Sequence, residues 1–230
     1  MIKVYIYASD GLADWEAGYI MAELNTKRFF KENAPEISVE VVGFSKRQYR
    51  TMGGMLLNAT LSVKDIEVSD KTFLLLFGAD DWNENKQKYI IDKAKEILRA
   101  GGHVAGICGA TVALANGGVL DGRKHTSNDK ELLKAVAENY RGEEYYVTEK
   151  AVSDRGLITA GSAGTLEWTK LIMENLGAFT PETVDYWYKF HTTSSPEYYS
   201  YLLLSPTKKN KKKISDNRLI AAFLQFNNVF

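Results

Sequence analysis

The sequence is poor in the residues that build disulfides and metal centres. It contains one cysteine and three histidines in 230 residues. A single cysteine cannot form an internal disulfide, and the histidines are too scattered to give the ligand spacing of a metal site. We therefore expect neither a metal nor another cofactor.

Long hydrophobic runs are also lacking. No apolar stretch reaches the ~20 residues that a membrane-spanning helix requires, so we expect no membrane partner. Residues Ile2–Ala8 are typical of a buried strand, and no small-residue cleavage site of a signal peptide follows them. These features predict a cytoplasmic protein.

The sequence has no excess of charge of either sign, since 29 lysine and arginine residues balance 29 aspartate and glutamate residues. A chain without net charge has no long-range field to attract nucleic acid, so we expect no such partner. The exception is the basic run 208–213, where so few charges would attract a polyanion only weakly. This run favours a solvated connector or an extension that packs on a neighbouring subunit. We expect a single domain over residues 1–204 and a tail over 205–230.

Strand-like and helix-like segments alternate, which predicts an α/β fold: an open, mostly parallel sheet with helices on both faces. The predicted strands are Ile2–Ala8, Ile37–Phe44, Thr72–Phe77, His103–Ile107, Tyr145–Val152 and Leu157–Ala160. The predicted helices are Asp14 to about Phe30, Glu84–Ala100, Ala110–Asn116, Lys130–Tyr140, Thr165–Asn175 and Asp185–Leu204. Residues Thr51–Leu61 indicate a hairpin or a bulged excursion. In the first helix, a stripe at helical spacing predicts four core residues: Trp15, Tyr19, Ala22 and Phe29.

Cys108 follows a predicted strand and directly precedes a predicted helix. A residue at such a corner has a strained backbone and needs small neighbours, which Gly106, Gly109 and Ala110 supply. The helix N-terminus stabilises a thiolate, so we expect a lowered thiol pKa and a reactive nucleophile. The alternative is an inert buried cysteine, which is common for this residue type.

Two further residues fall at the same predicted sheet edge. Gly78 ends the strand Thr72–Phe77, where a glycine lets backbone N–H groups face a substrate carbonyl, although a plain turn glycine is the simpler interpretation. Glu16 lies in the first turn of the first helix, where an acidic residue complements the helix dipole. The functional interpretation is a carboxyl that hydrogen-bonds the Cys108 sulfur as acid or base.

Several segments carry a resemblance to a known family. They are Leu74–Gly78, the run from Gly101 to Ala110, the run from Leu114 to Lys124, Asp14–Glu16 and the glycine-rich turn from Ala160 to Thr165. Over roughly residues 1–177 the chain resembles the ThiJ/PfpI superfamily, which has the class I glutamine amidotransferase-like, flavodoxin-like sandwich fold. The resemblance implies Cys108 as nucleophile, Glu16 as its hydrogen-bonding carboxyl, and Gly78 and Gly109 as the oxyanion-hole backbone.

The chain also departs from that family. PfpI-type peptidases have a histidine directly after the cysteine, whereas Gly109 stands here, so a peptidase is disfavoured. A glutaminase is disfavoured because no histidine lies two residues before Glu167. Deglycase-like members carry a histidine at the place of Asn128, which leaves His125 as the nearest imidazole in sequence. A histidine in a turn is more often merely solvated.

Three functions remain open. The first is a small-molecule cysteine hydrolase or a glyoxalase-like lyase that acts on reactive carbonyls, with Cys108, Glu16 and His125 as catalytic residues. The second is a non-enzymatic oxidative-stress sensor, and the third is a binding domain. Six aromatic residues in the C-terminal segment predict core packing, a pocket lid or a dimer surface: Tyr186, Trp187, Tyr188, Tyr198, Tyr199 and Tyr201. With the resemblance, they favour a homodimer.

Overall fold

Strands and helices alternate along residues 1–205, the part of the chain that this computed structural model describes. The strands are β1 Ile2–Ala8, β2 Ile37–Gly43, β3 Gln48–Arg50, β4 Leu56–Asn58, β5 Leu61–Ser62, β6 Thr72–Leu76, β7 His103–Ile107, β8 Ala151–Asp154 and β9 Leu157–Ala160. The helices are α1 Asp14–Thr26, α2 Lys88–Arg99, α3 Gly109–Asn116, α4 Lys130–Val136, α5 Thr165–Leu176, α6 Pro181–Thr193 and α7 Pro196–Leu204. The predicted basic run 208–213 lies outside the described residues.

Seven strands form one sheet in the order β5-β2-β1-β6-β7-β9-β8, and β3 pairs with β4 in a separate hairpin. All neighbours in the large sheet are parallel except β8, which runs antiparallel to β9. The sheet is flanked by helices, so the predicted α/β fold with an open, mostly parallel sheet is confirmed.

The central strands explain where the functional site lies. Every residue of β6, with the sequence TFLLL, is buried. An unbroken apolar run of this kind is typical of a parallel strand covered on both faces. Parallel strands end at the same edge of the sheet, so Gly78 after β6 and Cys108 after β7 come to one edge.

Several predicted boundaries differ from the structure by a few residues, and two of the differences have a local cause. The strand predicted at Tyr145–Val152 begins at Ala151, because Tyr146 instead forms an isolated bridge with His125. The single helix predicted at Asp185–Leu204 is two helices. Ser194 ends α6 in the left-handed conformation (φ 56°), and Pro196 begins α7.

The buried face of α1 is not the one that the sequence pattern predicts. Trp15 is 56% exposed, and Tyr19 and Ala22 are exposed as well, whereas the buried residues are Glu16, Ala17, Ile20, Glu23 and Leu24. Phe29 is buried but lies beyond the end of α1. The prediction failed because two of the buried positions are glutamates, which a hydrophobicity pattern assigns to solvent.

The chain divides into two compact units. The first comprises Met1–Asn25 and Pro35–Ile172, and it contains the whole large sheet. The second comprises Thr26–Ala34 and Met173–Phe230, described as far as Ser205. The single domain predicted for residues 1–204 is a statement about independent folding and stays a prediction. Within residues 1–205, no helix has both the length and the apolar character needed to span a membrane.

The C-terminal aromatic residues lie within the second unit and pack partly on one another. The Tyr186 and Tyr201 rings are 4.9 Å apart, and Phe190 lies 5.1 Å from Tyr199. Trp187 is fully buried. Aromatic contacts between α6 and α7 therefore hold these two helices together.

Candidate functional site

Cys108 occupies a strained corner between β7 and α3. Its φ of 57° and ψ of −125° lie in a region that residues with a side chain rarely adopt. The backbone is held there because Cys108 N donates to Ala160 O at 3.0 Å, while Cys108 O accepts from Thr111 Oγ1 at 2.6 Å. Gly106 must lack a side chain, since a Cβ there would lie 2.5 Å from Leu114 Cδ1. The structure thus places the single cysteine at the elbow that its small neighbours predict.

Glu16 approaches this corner from the first turn of α1 and is fully buried. Its Oε2 accepts a hydrogen bond from Gly78 N at 2.7 Å, and its Oε1 accepts one from Ser162 Oγ at 2.6 Å. A Cβ built on Gly78 would lie 2.9 Å from Glu16 Oε2 and 3.1 Å from Cys108 Sγ. Glycine at position 78 therefore lets the carboxylate and the thiol approach the same point from two sides.

A chain of hydrogen bonds runs from the thiol to this carboxylate. Asn128 Nδ2 donates to Cys108 Sγ at 3.3 Å, and Asn128 Oδ1 accepts from Ser162 N at 2.7 Å. Ser162 Oγ then donates to Glu16. Trp15 Nε1 donates to Ser162 Oγ at 3.1 Å. An indole N–H can only donate, so the serine proton must point to the carboxylate.

The surroundings of the sulfur act on its acidity in opposite directions. Burial has the largest effect and raises the pKa of the Cys108 thiol, and the charge and hydrogen bonding of Glu16 raise it further. The N–H donors of Asn128 and Gly109 lower this pKa. The net direction is upward, so the lowered pKa predicted from the helix N-terminus is wrong. Desolvation beside a carboxylate outweighs the donors.

The structure does not bring His125 to the thiol. The residue is fully buried, its Nδ1 lies 2.7 Å from Arg123 O, and its Nε2 lies 2.6 Å from Tyr140 Oη. A carbonyl only accepts, so Nδ1 carries the proton and Nε2 accepts from the tyrosine. With both nitrogens engaged elsewhere, no nitrogen remains for Cys108, which corrects the assignment of His125 as a catalytic residue.

The backbone donors near the sulfur also differ from expectation. The N–H of Gly78 is taken by the Glu16 carboxylate, so it does not face a substrate oxygen as predicted. The N–H of Gly109 is directed at the cysteine sulfur. The amide nitrogen of Ala79 lies 3.8 Å from the Cβ position of Gly109, and no residue of the described chain accepts its N–H. The amides of Gly109 and Ala79 are therefore the backbone donors that lie beside the elbow.

Sequence reasoning missed the positioning role of Ser162. The available signal was the turn Gly161–Gly164, which resembles the family's late glycine-rich segment, but nothing in it links a serine to a glutamate 146 positions earlier. At position 128, where the resemblance implies a missing histidine, the structure places an amide that donates a hydrogen bond to the Cys108 sulfur.

A cavity of about 310 Å³ borders Asn128 and Ser162 and extends to Tyr146 and Glu149. Its size suits a small organic molecule. Within residues 1–205, no group of three or more histidine, cysteine or acidic side chains is arranged to hold a metal ion.

Comparison with known proteins shows which family the chain matches. The model of the DJ-1/PfpI family matches residues 2–175. "Uncharacterized protease YoaZ" from Bacillus subtilis (strain 168) is 39% identical over 201 residues, which cover 87% of this chain and 96% of the relative. "Uncharacterized protease YdeA" from the same organism is 28% identical over 185 residues, or 80% of this chain and 88% of the relative.

Solved structures give the same result at the level of the fold. A thiJ/pfpI family protein from Bacillus anthracis superposes with a TM-score of 0.87 at 39% identity, covering 90% of this chain and 97% of that chain. Drosophila melanogaster DJ-1beta superposes with a TM-score of 0.60 at 21% identity, covering 82% and 96%. At that identity, the second likeness shows the fold alone.

Proposed function

The chain belongs to the DJ-1/PfpI family, and from this premise we propose that it is a glyoxalase-like enzyme in which the Cys108 thiol adds to the aldehyde of a small dicarbonyl such as methylglyoxal. The observation that carries the proposal is the fully buried Glu16 carboxylate beside the Cys108 thiol, whose pKa is raised. A protonated thiol needs a base at the moment of attack, and the buried carboxylate is positioned to serve as that base.

The first step is addition. Glu16 takes the thiol proton as the sulfur–carbon bond to the aldehyde carbon forms, and the carbonyl electron pair moves onto oxygen. The N–H groups of Gly109 and Ala79 support the developing oxyanion. Return of the proton from Glu16 to that oxygen gives a neutral hemithioacetal and restores the carboxylate.

The second step moves a proton between carbons. The Glu16 carboxylate removes the proton from the carbon bound to sulfur, and the electron pair moves onto the ketone oxygen to give an enediolate. Glu16 returns this proton to the neighbouring carbon while the hydroxyl proton of the hemithioacetal passes to the enediolate oxygen, which gives the thioester of a 2-hydroxy acid. One carbon is oxidised and its neighbour is reduced, so no external oxidant is needed. Water hydrolyses the thioester and releases the acid and the thiol.

This reaction fits the site better than the alternatives. The PfpI-type peptidases that the sequence resembles carry a histidine directly after the cysteine, whereas Gly109 stands here, and the side chains that hydrogen-bond Cys108 in the described residues are those of Asn128 and Glu16. The word protease in the names of the Bacillus subtilis relatives is therefore not transferred to this chain. A peroxide sensor requires a ready thiolate, which the raised thiol pKa opposes.

The test is an assay of 2-hydroxy acid formation from methylglyoxal. We expect Cys108→Ser to abolish turnover, and Glu16→Gln to lower kcat by about 10²–10⁴-fold, the usual contribution of general acid–base catalysis. Glu131→Gln, at an exposed carboxylate on α4, is the matched control and should retain wild-type activity. Wild-type turnover no greater than that of Cys108→Ser would refute the enzyme. Selective addition of oxygen to Cys108 by mild peroxide, measured by mass spectrometry, would then favour the sensor.

A further inference from the structure

The indole of Trp82 lies directly against the residue that follows the nucleophile. A Cβ built on Gly109 would lie 3.2 Å from Trp82 Cδ1, closer than an ordinary van der Waals contact. Trp82 Nε1 donates to Phe77 O at 2.7 Å, and the Tyr7 ring centroid lies 5.9 Å from that of the indole. These contacts fix the edge of the ring beside the elbow.

The loop that carries Trp82 is anchored on its amino-terminal side. Asp81 is 5% exposed, and its Oδ2 lies 3.1 Å from Lys86 Nζ. The lysine lies five positions along the chain, so this ion pair closes the loop that carries Trp82. The indole is therefore held both by its own hydrogen bond to Phe77 O and by the loop around it.

The same indole lines a cavity of about 600 Å³. The other side chains around it come from α2 and α3 and their neighbouring loops, among them Lys88, Lys95 and Asn116. One edge of Trp82 therefore contacts the elbow, and its ring contributes to the wall of a much larger space. We expect truncation of this side chain to open the space beside Gly109 toward this cavity.

We propose that Trp82 is the residue that limits substrate size at Cys108, which restricts the enzyme to dicarbonyls with a small aliphatic group. This inference rests on the proposed function. A substrate carbonyl oxygen that accepts from the Gly109 N–H would lie close to the Gly109 Cα. The Trp82 indole occupies the space on the side-chain side of this Cα. A methyl substituent is accommodated there, whereas an aromatic ring meets the indole.

The test compares methylglyoxal with phenylglyoxal in the wild type, Trp82→Ala and Trp82→Phe. We expect the ratio of kcat/KM for phenylglyoxal over methylglyoxal to rise by about 10- to 200-fold in Trp82→Ala, the range associated with opening an apolar pocket. Trp82→Phe should give a smaller rise and keeps an aromatic ring if the alanine variant does not fold. An unchanged ratio in the variants that fold would overturn the proposal.

A second measurement does not depend on turnover. Because the chain contains one cysteine, alkylation by iodoacetamide and by the bulkier N-phenylmaleimide reports access to Cys108 alone. We expect the Trp82 variants to accelerate the bulky reagent selectively, by about tenfold or more in Trp82→Ala. If the bulky reagent is accelerated selectively but the wild-type protein shows no turnover, Trp82 limits access to Cys108 and the proposed enzymatic function is wrong. If turnover is present and neither ratio changes, the role of Trp82 falls alone.

A double variant tests the contact itself. Gly109→Ala places a methyl group against the indole, so it should lower the melting temperature in the wild-type background. In the Trp82→Ala background, the same substitution should be nearly neutral, because the group it meets has been removed. Equal effects of Gly109→Ala in both backgrounds would show that the indole does not occupy this space.

Discussion

The hydrogen bond from Asn128 to the Cys108 sulfur has a measurable consequence for thiol reactivity. The Asn128 amide donates to Sγ at 3.3 Å and lowers the pKa of the thiol, against the larger upward effect of burial. Replacing Asn128 with alanine removes this donor. The thiolate then loses a stabilising partner, the pKa rises further, and the pH dependence of alkylation moves to higher pH.

The magnitude follows from the strength of one hydrogen bond to a charged group, which contributes about 1.5–3 kcal/mol. We use the lower figure because the sulfur is only half-buried. A loss of about 1.4 kcal/mol is a tenfold change in an equilibrium constant. The thiolate fraction below the pKa, and with it the alkylation rate at pH 7, should therefore fall by about tenfold.

The assay is the rate of iodoacetamide alkylation as a function of pH. Asn128→Ala should follow a curve displaced to higher pH, with the two rates converging where both thiols are ionised. Asn139→Ala, an exposed amide, is the control and should overlay the wild type.

Asn128→Asp separates the two roles of the amide. Aspartate still offers an oxygen to Ser162 N, but it loses the donor to sulfur and adds a negative charge, so its alkylation should be slower still. Recovery of the wild-type rate in Asn128→Asp would mean that only the position of Ser162 matters. A curve for Asn128→Ala that coincides with the wild type would refute the argument outright.

Two further variants test the buried structure around the site. Leu114 is fully buried beneath Gly106, so Leu114→Ala should lower the free energy of unfolding by about 2–5 kcal/mol in a urea titration; a loss below 1 kcal/mol would contradict the packing described. Burial lowers the pKa of His125 below its usual 6.5, so the unfolded chain binds more protons there and stability falls as the pH drops below that value. His125→Ala should reduce the overall stability and should make the free energy of unfolding less dependent on pH below 6.5. It should leave the alkylation rate of Cys108 unchanged. A large change in that rate would return His125 to the site. Burial also lowers the pKa of His103, so part of the pH dependence of stability should remain in this variant.

Much of the fold was predictable because strand and helix signals are local. The alternation of apolar strands with helices predicted the parallel sheet, and the small residues Gly106, Gly109 and Ala110 predicted the elbow at Cys108. These signals depend on the few residues that surround each position. The exposed face of α1 was not predictable from the same pattern, because Glu16 and Glu23 occupy the buried face.

The amino-acid sequence by itself determined the single cysteine, the elbow that presents it and the absence of an imidazole at position 128. Only the tertiary structure decided which groups surround the Cys108 sulfur. Ser162 donates a hydrogen bond to Glu16, which lies 146 positions earlier in the chain. The two ring nitrogens of His125 form hydrogen bonds with Arg123 O and Tyr140 Oη. The direction of the thiol pKa was likewise decided by folding, because desolvation depends on what surrounds the sulfur in space and not on its neighbours along the chain.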